Sequence, residues 1–67
     1  MTEETELGAA ERRVREGETN VARQMEIVGT LSRAGYTGGR AERLLAEFEA
    51  NLAGHRKRLA DLQGEKN

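Results

Sequence analysis

Apolar and small residues recur through the first half of the chain at steps of three and four: Leu7, Ala10, Val14, Gly17, Val21, Val28 and Leu31. Such steps put side chains on one face of a helix, because 3.6 residues complete a turn. Gln24 occupies the one slot of this stripe that is neither apolar nor small. The pattern predicts a helix over about 3–34, with Met25 and Ile27 widening the stripe on opposite flanks. A second stripe runs through Ala41, Leu45, Phe48, Leu52, His55, Leu59 and Leu62 and predicts a helix over about 39–63, with Leu44 as an apolar flank. Alternation of period two, the mark of a half-buried strand, occurs nowhere in the sequence.

The stretch "RAGYTGGRAERLL", Arg33 to Leu45, separates the two stripes. Gly35 suits the left-handed position just past a helix, and Tyr36 would then pack back onto Leu31 in a Schellman ending. The Thr37 hydroxyl or, alternatively, Gly39 starts the second helix. A link over about 35–38 is the length that joins antiparallel helix neighbours. Gly64 is expected to end the second helix, leaving Glu65, Lys66 and Asn67 frayed. The fold class is therefore all-α: residues 1–67 form one antiparallel two-helix hairpin, coiled-coil-like and roughly 40 Å long.

Two heptad registers fit the stripes. One sets Val28 against Phe48, His55 against Val21 and Gln24 against Leu52; the other sets Val28 against Ala41, His55 against Val14 and Gln24 against Leu45. In both, Gln24 and His55 meet apolar layers, and each needs a hydrogen-bond partner from a second subunit or a water. Gln24 reads either as a register-setting polar residue or as a side chain that snorkels outward while Met25 takes the core. Gly8, Gly29 and Gly54 fall on outward positions and read as tolerated.

Size turns this hairpin toward partners. The chain has 67 residues, no cysteine and no proline, so disulfide staples are absent where a chain below about 70–80 residues ordinarily needs staples or partners. A lone hairpin leaves each stripe half exposed, and stacking two of them makes a four-helix bundle. A homodimer is the expectation, with Val21, Met25, Ile27, Val28, Leu31, Leu44, Leu45, Phe48, Leu52 and His55 at the oligomer interface. Ile27 and Leu44 share one flank near the turn, which marks the place to look for the dimer contact.

Charge and chemistry exclude more than they offer. Eleven Lys and Arg against twelve Asp and Glu leave a net charge of −1, with no global pull toward nucleic acid or anionic membrane. The acidic start lacks a signal-peptide apolar core and no apolar run reaches bilayer length, so a cytoplasmic protein with no membrane role is expected. The glycine loop lacks the lysine and hydroxyl of a phosphate-binding loop and follows a helix, so it reads as a turn. His55 is the only histidine, and the residue three before it is Leu52, which leaves no Glu-x-x-His metal pattern. A seam histidine is the simpler reading, and a pH sensor would follow if its imidazole lay in an apolar layer. One serine, Ser32, and one histidine make no nucleophile–base–orienter set. No catalytic residue, cofactor or metal site is expected.

The basic clusters Arg12, Arg13, Arg15 and Arg56, Lys57, Arg58 would meet at the open end of the hairpin as a belt for an anionic partner such as RNA. The pairs Glu11–Arg15, Arg12–Glu16 and Lys57–Asp61 at i,i+4 offer instead a self-paired solvated surface. In size and shape the chain is similar to the Rop-type hairpins that dimerise into four-helix bundles. The pattern "NVARQMEIVGTL…G…AERLLAEFEANLAGH", Asn20 to His55, resembles a small uncharacterised family of bacterial helical-hairpin proteins. Ala22-Arg23-Gln24, Ile27-Val28, Leu31, Gly35, Leu44-Leu45, Phe48 and His55 carry that resemblance. It implies a hairpin and no particular activity. The functional expectation is a small non-enzymatic, self-associating interaction module that binds a protein partner. The alternative is RNA binding through the arginine-rich belt.

Overall fold

The structure, a computed structural model, describes residues 3–65, and Lys66 and Asn67 of the expected frayed end lie outside them. It consists of two helices, α1 over Glu6–Arg33 and α2 over Arg40–Glu65, packed as an antiparallel hairpin. The body measures 49 × 26 × 14 Å. A thickness of 14 Å is a single layer of helices, so each helix buries one face only.

Helix α1 begins at Glu6 rather than Glu3 because Thr5 caps it. Thr5 is extended (φ −75°, ψ 164°), and its Oγ1 accepts the Gly8 N–H at 2.9 Å, satisfying one of the orphan donors of the first turn. The far end is a full Schellman motif. The Tyr36 N–H donates to the Leu31 carbonyl at 2.8 Å, the Gly35 N–H donates to the Ser32 carbonyl at 3.0 Å, and Gly35 takes φ +92°. Only glycine adopts that left-handed backbone at little cost, so its place one residue past the capping Ala34 is dictated by the turn.

Helix α2 starts at Arg40, with Gly39 as the cap: its carbonyl accepts the Arg43 N–H at 3.3 Å. Thr37 is not the cap. A carboxylate does that work instead, as Glu42 reaches back and accepts the Gly38 N–H at 2.7 Å. Glu42 stands three residues after Gly39, the capping-box spacing, and being anionic it also suits the positive end of the helix dipole. Helix α2 continues through Gly64 to Glu65, past its expected end at Gln63. Leu62 is buried against α1 in that last stretch, and its anchoring outweighs the roughly 1 kcal/mol by which glycine disfavours a helix.

The register is the one that brings Val28 to Ala41. Both residues line a common recess at the turn, and Gly17 lies directly against Leu52. A Cβ added at Gly17 would stand 3.0 Å from Leu52 Cδ1, so Leu52 packs tightly on the bare backbone there. Among the described residues the buried apolar set is small: Ala10, Leu52 and Leu62. Gln24 is buried with them, and its Nε2 donates to the Ala41 carbonyl at 2.9 Å. The expected need for a partner outside the hairpin is thus corrected for Gln24: the first turn of the facing helix supplies it. Met25 does not displace Gln24 from the seam, being itself 56% exposed.

Candidate interaction surface

The turn half of the hairpin carries the large apolar residues that packing leaves uncovered. Ile27 is 48% exposed, Leu44 38% and Leu31 37%. Val21, Val28, Leu45 and Phe48 are half-buried along the seam. Leu52, placed with these by the sequence pattern, is only 5% exposed in the single chain, so its surface is already taken up by α1 at Gly17. At the turn an open recess of about 450 Å³ is floored by Val28, Leu31 and Ala41 and rimmed by Tyr36, Arg40 and Glu42. Tyr36 shares this recess with Leu31, yet it keeps 69% of its surface in solvent.

His55 lies on the flank of the seam. It shares a shallow recess with Arg13, Glu16, Gly17, Asn20, Phe48 and Asn51, so polar side chains from both helices surround an imidazole that is only half-buried. The imidazole is therefore not enclosed in an apolar layer: Phe48 lies on its recess, and polar side chains stand at its open side. Among the described residues no cluster of three His, Cys, Asp or Glu side chains is disposed to hold a metal ion, and no helix is long and apolar enough to cross a membrane.

The basic belt does come together at the open end, but largely as ion pairs. Arg12 presents its guanidinium edge to Glu4, with Nε donating to Oε2 at 3.0 Å and Nη2 to Oε1 at 3.0 Å, while Nη1 donates to Glu16 at 3.0 Å. These hydrogen bonds from Arg12 hold the Glu4 carboxyl below its ordinary pKa, and the Glu4 carboxylate raises that of Arg12 in return. Between the helices Arg56 pairs with Glu18 at 3.2 Å and Arg58 with Glu6 at 4.0 Å; within α2 Lys57 pairs with Asp61 at 3.5 Å. Of the expected i,i+4 pairs, Arg12–Glu16 and Lys57–Asp61 form. Glu11–Arg15 is not among the ion pairs of the described residues.

No family model, curated protein or solved structure matches the chain. Three of its features escaped the sequence pattern: the Gln24–Ala41 bond, the Glu42 cap and the recess at the turn. Only the Glu42 cap had a legible signal, in the spacing from Gly39 to Glu42. The other two depend on which register the helices adopt.

Proposed function

We propose that the chain is a small non-enzymatic helical-hairpin module that associates with itself, as a homodimer forming a four-helix bundle, and presents the assembled surface to a protein partner. The observation that supports this is the imbalance of burial. Among the described residues a single chain buries only Ala10, Leu52 and Leu62 of its apolar side chains, while Met25, Ile27, Leu31, Leu44 and Tyr36 stay exposed. So small a core is a poor match for the conformational entropy of ordering two long helices. A second copy laid on the side of the helical layer that bears Ile27 and Leu44 would cover part of that apolar surface. This reading carries no cofactor and no catalytic group. Light scattering over a concentration series tests it: the wild type should approach twice the monomer mass, and Leu44→Lys should shift the midpoint to higher concentration. A cooperatively folded monomer at every concentration would overturn it.

The alternative is RNA binding at the open end, and it has less support there, because Arg12, Arg56, Lys57 and Arg58 already face carboxylates. Binding to RNA that weakens steeply between about 50 and 200 mM salt would favour that alternative instead.

A further inference from the structure

The face of the hairpin that holds His55 can be followed from the open end to the turn. Asn20 of α1 and Asn51 of α2 line one recess and so lie on one side of the two-helix layer. Ile27 is one heptad beyond Asn20, and Leu44 one heptad before Asn51, so both lie on that same side, nearer the turn. Both are exposed. Arg23 lines a surface recess with Glu16 and Asn20, which places it at the outer edge of this side on α1. Glu47, three residues from Leu44 and four from Asn51, stands at the corresponding outer edge of α2. Neither Arg23 nor Glu47 belongs to an ion pair among the described residues, and both are exposed.

The register sets these residues level with one another. Counting from the Gly17–Leu52 contact, Arg23 is six residues toward the turn on α1 and Glu47 five on α2, while Ile27 is ten and Leu44 eight. A two-fold axis parallel to the long axis of the hairpin preserves level and sets α1 of each copy against α2 of the other. Ile27 then meets the partner's Leu44 at the inner side of the contact. Arg23 meets the partner's Glu47 at the outer side, and the symmetry makes each contact twice. Apolar lies on apolar, and positive on negative. The opposite arrangement, with the turns at opposite ends, carries Ile27 and Leu44 toward the partner's open half, where the same side bears Arg13, Glu16 and His55.

We infer that two copies pair side by side with their turns at the same end, through Ile27 and Leu44 flanked by Arg23–Glu47 ion pairs. This arrangement rests on the self-association proposed above and specifies its geometry. The chain has no cysteine, so Thr37→Cys at the turn takes a single spin label per copy. With neighbouring helix axes about 8–10 Å apart, the two labels should lie within about 30 Å. Turns at opposite ends would put them at a separation near the 49 Å length of the molecule and would overturn the arrangement while leaving self-association standing. Light scattering of the same labelled protein separates the two failures, because a monomer shows no label–label distance and removes the underlying reading as well. Reversing one partner of the ion pair supplies the second arm. Arg23→Glu should weaken dimerisation about tenfold, and Arg23→Glu with Glu47→Arg should restore it. Failure of the double variant to recover would remove the ion pairs from the proposal.

Discussion

The two ends of this hairpin solve the same packing problem differently. Toward the open end small residues face large ones: Ala10 is buried, Gly17 admits Leu52, and Leu62 closes the last turns. The ion pairs also collect there, from Glu4–Arg12 to Lys57–Asp61. Toward the turn the seam instead buries an amide, Gln24, while Ile27, Leu31 and Leu44 remain in solvent. The open half is satisfied within one chain, and the turn half retains apolar surface to offer. A belt rich in arginine draws the eye in the sequence, yet its cations are mostly occupied. The quieter end of the charge pattern has the unmet packing.

Leu52→Ala should break this contrast most severely. It removes a buried leucine at the closest approach of the helices, and truncations of this kind cost about 2–5 kcal/mol. Urea unfolding followed by circular dichroism, at fixed protein concentration, should show a population largely unfolded without denaturant. Gly17→Leu attacks the same contact from the other helix. A leucine there starts 3.0 Å from Leu52 Cδ1 and overpacks the seam, at an expected cost of about 1–3 kcal/mol in the same measurement. In the turn half, Gln24→Ala removes the bond to the Ala41 carbonyl and should cost about 0.5–1.5 kcal/mol from that bond alone. A loss as large as that of Leu52→Ala would mean that the two halves are equally closed.

The smallest effect belongs to the exposed pair at the start of α1. The Glu4 carboxyl is lowered in the folded chain by its hydrogen bonds from Arg12. Its contribution is therefore fully present above the ordinary carboxylate pKa and fades as the pH falls through the lowered folded value. Glu4→Gln should reduce the melting temperature slightly at neutral pH and leave it unchanged at a pH where the carboxyl is protonated. Equal losses at both pH values would show that the pair contributes nothing through its charge.

Much of this architecture is legible from spacing. Gly35 and Tyr36 announce the Schellman turn, and the two stripes give both helices to within about three residues at each end. Spacing fails where the choice lies between equivalents. Two registers bury the same stripes, and the one adopted depends on how Gly17 fits Leu52 and on a carbonyl that the periodic pattern does not display. The caps are ambiguous for a similar reason. Thr37 has the hydroxyl, but Glu42 has charge, reach and position, and its carboxylate takes the free N–H of Gly38. His55 lies on the stripe by count, yet it is only half-buried, in a recess shared with Glu16, Asn20, Phe48 and Asn51.

The Gln24 contact has a consequence for how this chain could vary. Its amide holds the backbone of Ala41, not a side chain, and every residue type carries that carbonyl. The lock between the helices therefore reads position and ignores identity on the α2 side. Residue 41 could be exchanged for another small side chain without loosening it, while residue 24 could not be exchanged at all on those terms. At this contact the alignment of the two helices is thus written in α1, which leaves residue 41, and the recess it borders, free to change with whatever the hairpin meets.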